Sequence, residues 1–355
     1  MDPSLQPRII AALTVLVIAQ AACGHRPATV PPPTPASTPA TGRAMPTSTL
    51  PVASAPASAT PARTLADPAP VERIGPAELT PHLDALQRLA DAHGGDRVTG
   101  SAGFDAATAY VAGVLEAAGY RVERRRFSLD GRTGSNLLAE RPGASAETVM
   151  LGAHLDTVAG SPGLNDNGSG VAAVLAIAEA LAELPTPQRT VRLAFWDAEE
   201  GGPLGSRAYV ASLAPGERAD VVAYLNLDMI GSPNGVRLIY DEAAAAPGSD
   251  RLTDRLVAAL ESHGLAWEPI DLEGDSDHGP FVAAGIPTGG LFSGGIEPVT
   301  DAQAARFGAT ADAPADACSH RPCDTLDNVD AGAAAELATA AARVLAEVAA
   351  EGPAG

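Results

Sequence analysis

Four short runs rich in Val, Leu and Ile alternate along the chain with longer segments of helical periodicity. The apolar runs, which have the length of buried strands, occupy residues 148–152, 190–196, 221–228 and 288–292. The helical segments cover residues 102–118, 169–184, 251–263 and 331–350. Because parallel strands need crossover connections, which helices supply, this alternation predicts a mostly parallel central sheet with helices on both faces. We therefore expect a three-layer α/β sandwich.

The predicted sandwich fills most of the chain after residue 71. Residues 121–127 and 135–140 predict an antiparallel pair of strands at one edge of the sheet. No segment repeats another, and residues 72–355 are numerous enough to bury one large core. We expect a single globular domain there.

The first 71 residues have a different composition. An apolar run at residues 9–19 is too short to cross a membrane as a helix and has the length of a signal-peptide core. Residues 1–22 are therefore predicted to be a signal peptide. Cleavage near Ala21 would release a secreted protein, whereas cleavage before Cys23 and acylation of its thiol would give a lipoprotein. Residues 23–71, dominated by Pro, Ala, Thr and Ser, cannot bury a core and predict a disordered tether.

The charge of the chain and its lack of Lys exclude some classes of partner and some kinds of chemistry. The formal net charge is −20. Nearly all of it belongs to residues 72–355, which carry 19 Arg against 41 Asp and Glu. So acidic a domain is unsuited to nucleic acid. The chain contains no Lys, which excludes a phosphate-binding P-loop lysine and a lysine Schiff base.

Side chains of the kind that bind metals follow the central strands. The first strand runs into His154, and the next loop contains Asp166 just before a helix. The second strand ends in Glu199 and Glu200, and the third ends at Asp228. Each has an ordinary explanation alone, since Asp-Asn-Gly is typical of helix caps and paired Glu of solvated surfaces. Because functional groups gather at the carboxyl ends of such strands, we expect these residues to converge. Clustered carboxylates then need cations to neutralise them.

Two histidines and three carboxylates would suit a pair of zinc ions, with one more carboxylate left as a general base. The strand ends supply only one histidine, so a second must come from elsewhere in the chain. His320 and His278 are the candidates. The other histidines are expected to lie in the tether or to be solvated: His25, His82, His93 and His263.

His320 lies in a short loop bounded by Cys318 and Cys323. The two cysteines could bind metal together with the histidine, or they could form a disulfide that shapes its loop. An exported chain meets conditions in which disulfides persist, which favours the disulfide. That pairing leaves Cys23 as an odd thiol, and acylation would give it a use.

Seven motifs resemble those of the co-catalytic di-zinc aminopeptidases of peptidase clan MH, in particular the secreted bacterial leucyl-aminopeptidase type, and the resemblance covers roughly residues 72–350. They occur in the order and spacing of that family, and together they are highly specific. The motifs are GAHLDTV, GLNDNGSG, FWDAEE, LNLDMIGSPN, SDHGPF, GGLFSG and CDTLDN. The resemblance implies the zinc-exopeptidase, or phosphorylase/hydrolase-like, form of the three-layer sandwich, and it makes residues 72–355 a di-zinc peptidase domain.

The resemblance implies a ligand role for five residues. Asp166 would bridge two Zn²⁺ ions, His154 and Asp228 would complete one site, and Glu200 and His320 would complete the other.

The resemblance also implies roles for residues beside the ions. Glu199 would be the general base that takes a proton from the attacking water and passes it to the leaving amine. Asp156 would orient His154, as metal-bound histidines usually require. The peptide bond between Asp166 and Asn167 is characteristically cis in the family.

Three residues are expected near the substrate or the oxyanion, and the chain departs from the family among them. The histidine matching His278 is not a ligand in the family, so His278 and Asp277 are placed in this group with Ser319. Many members have a Tyr at the position of Ser319, where its hydroxyl helps to stabilise the tetrahedral oxyanion. Many also have an Arg before the Ser-Asp-His motif, where this chain has the acidic segment 273–275. We expect an active but slow enzyme.

The function implied is that of a monomeric, zinc-dependent aminopeptidase that releases apolar N-terminal residues from peptides outside the cytoplasm. One alternative is another zinc amidase or exopeptidase of the same fold: a dipeptidase, a carboxypeptidase or a glutaminyl cyclase. A second alternative, from a different class, is a peptide-binding lipoprotein whose catalysis has decayed. The presence of Glu199 and of all five candidate ligands argues against that second alternative.

Overall fold

The computed structural model of the protein describes residues 70–241 and 246–352. The predicted signal peptide, the predicted tether and Cys23 lie outside these described residues. Within the two described ranges, no helix combines the length and the apolar character that a membrane span requires.

The described residues form an eight-stranded mixed sheet with helices packed on both faces. The strands are β1 Arg121–Leu129, β2 Arg132–Arg141, β3 Thr148–His154, β4 Thr190–Trp196, β5 Val221–Leu227, β6 Leu238–Tyr240, β7 Glu268–Ile270 and β8 Thr288–Phe292. The α-helices are α1 Pro76–Ala92, α2 Ala102–Ala117, α3 Gly168–Ala182, α4 Leu204–Ser212, α5 Pro215–Asp220, α6 Ser249–Ser262, α7 Gly279–Ala283, α8 Asp301–Phe307 and α9 Ala331–Ala350. The predicted three-layer α/β class is confirmed.

The centre of the sheet is parallel and its flanks are mixed. The strand order is β1-β2-β4-β3-β5-β8-β6-β7. Strands β4, β3, β5 and β8 run parallel, whereas β1 and β2 are antiparallel to each other and β2 is antiparallel to β4. At the other flank β6 runs antiparallel to β8 and parallel to β7. The carboxyl ends of the four central strands therefore lie along one edge, where the candidate site forms.

Alternation along the central strands divides the core into two layers. In β4, Val191, Leu193 and Phe195 belong to one buried cluster, and Ala194 and Trp196 belong to another on the opposite face. Successive side chains of a strand point to opposite faces of its sheet, which gives each face its own apolar set. The larger cluster takes in α1, α2, α3, α6 and α9, and the smaller one takes in α4 and α7.

The two faces of the sheet are covered by different kinds of packing. Helix α3 has 13 of its 15 residues buried, because it lies against the sheet and also contacts α1 and α9. On the opposite face, the rings of Tyr224 and Phe281 stack with centroids 3.9 Å apart. The indole N–H of Trp196 donates to the Tyr224 hydroxyl over 2.8 Å, so the buried polar atoms of this cluster are paired.

Several elements were not predicted from the sequence. These are α1, α4, α5, α7, α8 and the three-residue strands β6 and β7. The prediction that His82 is solvated is wrong, because its side chain is buried and its Nδ1 lies 2.8 Å from the Tyr110 hydroxyl. Helix α1 turns that face toward α2 and α3 rather than toward water.

Two glycine-to-alanine changes should have opposite effects on stability. A Cβ at Gly152 in β3 would lie 2.6 Å from both Trp196 Nε1 and the Tyr224 hydroxyl. We expect Gly152→Ala to lower the free energy of unfolding by about 1–3 kcal/mol through overpacking. Gly113 lies inside α2 with nothing within 4 Å of an added Cβ, so Gly113→Ala should raise it by about 0.5–1 kcal/mol. Urea unfolding of the two variants measures both changes. Equal effects would contradict the close packing at Gly152.

Candidate metal centre

The central strands deliver the predicted ligands to one edge of the sheet. His154 is the last residue of β3, and Asp228 follows the last residue of β5. Glu200 lies in the turn after β4, and Asp166 lies in the turn that precedes α3. His320 arrives on a separate loop between α8 and α9. The structure thus gathers the five residues that the sequence singled out.

His154, Asp166 and Asp228 form the first of two groups that could hold a cation. The Nε2 atom of His154 lies 3.4 Å from Asp166 Oδ1 and 3.4 Å from Asp228 Oδ1. The His154 ring is buried, whereas Asp228 lines the adjoining cleft. The three donor atoms therefore face a common point from three different loops.

Asp166, Glu200 and His320 form the second group. The Nε2 atom of His320 lies 3.1 Å from Asp166 Oδ2 and 3.0 Å from Glu200 Oε2. Asp166 therefore offers one carboxylate oxygen to each group. This is the arrangement that a carboxylate bridging two metal ions requires.

The donor set fits zinc. In each group one imidazole nitrogen and two carboxylate oxygens lie within 4.8 Å of one another, and nitrogen and oxygen donors of these types are common zinc ligands. Three protein ligands per ion leave a position open for a water molecule or a substrate, as in catalytic rather than structural zinc sites.

Glu199 lies beside the two groups without belonging to either. One of its carboxylate oxygens is 4.0 Å from His154 Nε2, and the residue lines the cleft. Burial raises the pKa of Glu199 well above its usual value, and the charges of Asp228 and Asp277 add to the shift. A carboxylate held near a candidate metal pair, yet outside the ligand groups, has the position that proton transfer demands.

Asp156 supports the Glu199–Glu200 turn as well as His154. Its carboxylate accepts hydrogen bonds from the backbone N–H of Glu199 over 3.0 Å and of Glu200 over 3.4 Å. Its Oδ1 lies 3.7 Å from His154 Nδ1, which is closer to the Asp156 carbonyl oxygen at 3.2 Å. Burial raises the pKa of Asp156 to about 7. The carboxylate thus positions the catalytic candidate more directly than it positions the histidine.

Negative charge exceeds positive charge at the site. Although burial alone would lower the pKa of His154, the Asp228 charge and hydrogen bonds to Asp166 and Asp228 raise it well above its usual value. Hydrogen bonds to Asp166 and Glu200 raise the pKa of His320 to about 10. Burial would raise the pKa of Asp166, but its bonds to the two histidines hold it well below its usual range. Bound cations would relieve this excess of carboxylate charge.

The Asp166 turn is fixed by its neighbours. Asn167 caps α3 by accepting from the Gly170 N–H over 3.0 Å, and its side-chain amide donates to the Leu227 carbonyl over 2.8 Å. The Asp166–Asn167 peptide bond is cis, as the resemblance implied. The carboxylate of Asp324 accepts the backbone N–H of Asp166 over 3.0 Å, so the turn is held from the side of the His320 loop as well.

A disulfide joins Cys318 and Cys323, with Cα atoms 5.3 Å apart. Within the ring, His320 adopts a positive φ of 60°, and 58% of its side chain is exposed. The Arg321 N–H donates to the Cys318 carbonyl over 2.9 Å. Because both cysteines are bonded to each other, they do not serve as ligands, and the loop presents its histidine alone.

Arg97 is a structural component of the site that the sequence did not reveal. Its guanidinium is completely buried behind the site and donates to three backbone carbonyls, those of Leu155, Pro162 and Gly163. Burial lowers the pKa of Arg97 to about 10, which leaves it a cation at neutral pH, and the charges of nearby carboxylates oppose the shift. It ties the strand end after β3 to the turn that carries Asp166.

The three residues expected near the substrate have different environments. Ser319 lines the cleft, and its hydroxyl lies 3.3 Å from Asp166 Oδ2. Asp277 and His278 are completely buried, and burial raises the pKa of Asp277 to about 8. Asp275, from the acidic segment that departs from the family, lines the cleft.

The candidate metal groups open into a cleft of about 730 Å³. Its floor near the ligands is polar, with Glu199, Asp228 and His320 exposed to it. Its apolar lining residues come from β6, β7, β8 and the segments beside them, and they include Val236, Leu238, Ile270, Phe292 and Val299. Glu297 and Gln303, which follow β8, also line the cleft. The cleft therefore offers charged groups at the candidate ligands and apolar surface for a side chain.

Residues 136–345 match the model of peptidase family M28. This match covers more than half of the chain and includes every candidate ligand and Glu199. The protein therefore belongs to peptidase family M28, and the resemblance drawn from the sequence motifs is confirmed.

Curated relatives carry names from the same group of enzymes. The chain is 42% identical over 278 residues to leupeptin-inactivating enzyme 1 of Streptomyces exfoliatus, covering 77% of this chain and 62% of that protein. It is 44% identical over 207 residues to a probable lipoprotein aminopeptidase, LpqL, of Mycobacterium tuberculosis, covering 55% of this chain and 41% of that protein. In both cases the chain spans less than two thirds of the relative's length.

Solved structures show the same fold at low sequence identity. A zinc aminopeptidase from Bacillus subtilis is 16% identical with a TM-score of 0.66, covering 79% of this chain and 97% of that chain. A glutaminyl cyclase from Porphyromonas gingivalis is 21% identical with a TM-score of 0.60, covering 76% of this chain and 98% of that chain. Because proteins with two different activities share this fold, the fold alone does not select between them.

Proposed function

We propose that the protein is a di-zinc aminopeptidase that removes apolar residues from the free N-terminus of peptides. The observation that carries this proposal is the sharing of Asp166 between two ligand groups, with Glu199 beside both and in neither. The names of the curated relatives support the same activity.

When bound, a zinc pair would polarise the scissile carbonyl and lower the pKa of the attacking water. His154 and Asp228 would hold one ion, Glu200 and His320 the other, and Asp166 both. His154 and Asp228 are anchored at the ends of buried strands, so they need little rearrangement when an ion binds.

Glu199 is the proposed general base. Its carboxylate faces the cleft and takes a proton from the attacking water, then delivers that proton to the leaving amine. The Asp156 carboxylate accepts the backbone N–H groups of both Glu199 and Glu200, and it thereby fixes the turn on which the two residues lie. This turn leaves the Glu200 carboxylate in the second ligand group and the Glu199 carboxylate beside both groups.

The acidic and the apolar side chains that line the cleft fit different parts of the proposed substrate. A protonated N-terminus is attracted by the carboxylates of Glu199, Asp228 and Asp275, which line the cleft. The N-terminal side chain would occupy the apolar wall formed by β6, β7 and β8. An extended peptide with a blocked N-terminus would lose the first interaction and bind poorly.

Replacing the adjacent glutamates should separate catalysis from metal binding. The wild-type protein should bind two zinc ions and lose activity on chelation. Glu199→Gln should keep both ions but lower kcat by at least ~10²-fold, because a general base is removed without a ligand. Glu200→Gln should lose one ion. Elemental analysis gives the zinc content, and hydrolysis of leucine p-nitroanilide gives the rate.

The same assay decides among the related activities. Release from the p-nitroanilide but not from an N-acetylated analogue supports an aminopeptidase. Cyclisation of an N-terminal glutamine without anilide release would indicate a glutaminyl cyclase instead. A wild-type protein that is fully active with at most one zinc ion would contradict the di-zinc proposal. Equal loss of zinc in the two glutamine variants would contradict the division of roles between Glu199 and Glu200.

The rate should rise when Ser319 is enlarged to Tyr. The serine hydroxyl donates to Asp166 over 3.3 Å, and it is several ångströms shorter in reach than a phenol, so it would not reach a developing oxyanion. A phenolic donor at this position would restore a stabilising hydrogen bond, and one such donor is typically worth about 10²–10³ in kcat. We expect Ser319→Tyr to raise kcat by at least ~10-fold. Ser319→Phe is the matched control, since it adds the ring without the hydroxyl. A rise in both variants would exclude the hydroxyl as the cause.

We also propose that the protein is exported, with its catalytic domain tethered to the envelope through a lipid on Cys23. The apolar run at residues 9–19 and the odd cysteine support this proposal, as does the lipoprotein name of the M. tuberculosis relative. Cys23→Ala should move the activity from the membrane fraction to the soluble exported fraction without changing kcat, and mass spectrometry should find acyl chains on wild-type Cys23. Retention of the alanine variant in membranes would rule out this anchor.

A further inference from the structure

Asp316 is a buried carboxylate that belongs to neither ligand group. Its side chain is completely buried. Its Oδ1 accepts the backbone N–H of Cys318 over 2.7 Å and of Ser319 over 3.1 Å. Its Oδ2 accepts the side-chain amide of Asn165 over 2.7 Å. One carboxylate therefore holds both the residues that lead into His320 and the residue that precedes Asp166.

A second carboxylate repeats the connection. Asp324, also completely buried, accepts the backbone N–H of Asn165 over 2.8 Å and of Asp166 over 3.0 Å. The side-chain amide of Asn328 donates to both oxygens of Asp316, at 3.0 and 3.1 Å, and to Asp324 Oδ1 at 3.1 Å. The Asp166 turn and the His320 loop, two of the three segments that carry the second ligand group, are thus joined by one buried hydrogen-bonded network.

Besides these two carboxylates, single hydrogen bonds join the His320 loop to residues 161–166: the Ser161 hydroxyl donates to the Arg321 carbonyl over 3.0 Å, the Leu164 N–H donates to the Asp324 carbonyl over 3.1 Å, and the Ser319 hydroxyl donates to Asp166 over 3.3 Å. More than half of the His320 side chain is exposed, and Arg321 and Cys323 are exposed as well. The disulfide closes the ring but does not tie it to the Asp166 turn. By contrast, the first ligand group sits at the ends of β3 and β5, inside the sheet. Asp316 differs from these contacts because its one carboxylate bonds both residues that precede His320 and, through Asn165, the Asp166 turn.

We propose that Asp316 is a positioning residue that sets His320 against Asp166 and so determines how tightly the group of Asp166, Glu200 and His320 binds its cation. The group of His154, Asp166 and Asp228 depends on it far less, because Asp324 and Asn167 hold the Asp166 turn without Asp316. This inference rests on the proposed di-zinc function, because it concerns the relative affinity of the two ions.

The chemistry of Asp316 requires a carboxylate rather than an amide. Both of its oxygens receive N–H donors from separate chain segments. In Asp316→Asn the remaining oxygen can still accept from Cys318 and Ser319, but the new NH₂ group faces the amide donors of Asn165 and Asn328. Two donors facing each other inside a buried network repel and leave hydrogen bonds unmade. The shape of the side chain is otherwise unchanged, so the test isolates polarity.

The test is a zinc competition titration of the full chain with a chromophoric chelator. Asp316→Asn should weaken one zinc equivalent by ~10–100-fold, as loss of an outer support for a metal ligand typically does, while the other keeps its affinity. Glu200→Gln and Asp228→Asn identify the two equivalents, since each removes a ligand of one group. At limiting zinc the kcat of Asp316→Asn should fall, and excess zinc should restore it.

Two controls separate positioning from stability. Leu345→Ala removes buried side-chain volume from α9, away from the ligand loops, and should lower the melting temperature of the zinc-free protein without changing either zinc affinity. In the double variant Asn165→Asp/Asp316→Asn, the new amide at position 316 can donate to the new carboxylate at position 165. This variant should recover part of the lost zinc affinity.

Three results would overturn the inference. They are unchanged zinc affinities in Asp316→Asn, equal weakening of both equivalents, and a pattern matching that of Leu345→Ala. In each of these cases, the proposed function still holds if the wild-type protein binds two zinc ions and has full activity. A wild-type protein that binds fewer than two zinc ions overturns the proposed function itself, and the role of Asp316 with it.

Discussion

Repulsion among carboxylates governs the architecture of this site. Asp156, Asp166, Glu199, Glu200 and Asp228 crowd the carboxyl ends of three parallel strands, where burial makes each negative charge costly. Compensating positive charge comes from His154, His320 and the buried Arg97, and from Arg321, which lines the cleft. The fold therefore has to hold groups that repel one another until cations bind, and it does so with rigid backbone connections and buried hydrogen bonds.

The two ligand groups meet this demand differently. His154 and Asp228 inherit their positions from β3 and β5, whose pairing in the sheet fixes them. Glu200 and His320 lie on turns, and their positions come from polar side chains: Asp156 for the Glu200 turn, and Asp316 and Asp324 for the His320 loop. Asp166 connects both arrangements because each of its oxygens faces one group. Loss of the Asp166 carboxylate would consequently weaken the binding of both candidate ions.

Much of this arrangement follows from the sequence, and the part that does not has a physical reason. The central strands and the ligands at their ends were predictable, because buried strands are continuous apolar runs and functional residues follow them directly. Helix α1 and strands β6 and β7 were missed, since a Pro inside the helix and the three-residue strands weaken their periodic signal. Arg97 and Asp316 carried no local signal at all. The carbonyl partners of Arg97 are about 60 residues away in the chain, and Asn165, the partner that joins Asp316 to the Asp166 turn, is 151 residues away. Only the folded topology brings these groups together.

The lining of the cleft has a consequence for how substrate preference can change. Every lining residue lies between His154 and Arg321, and the apolar wall comes from β6, β7, β8 and the segment that follows. Helices α1 and α2 and strands β1 and β2 contribute none of the residues described there. Sequence drift in those elements is constrained by packing and, at Arg97 between α1 and α2, by hydrogen bonds to the segment that leads to Asp166, whereas a shift in the preferred side chain must arise in the later segments. Directed evolution of specificity can therefore confine its libraries to residues 228–321.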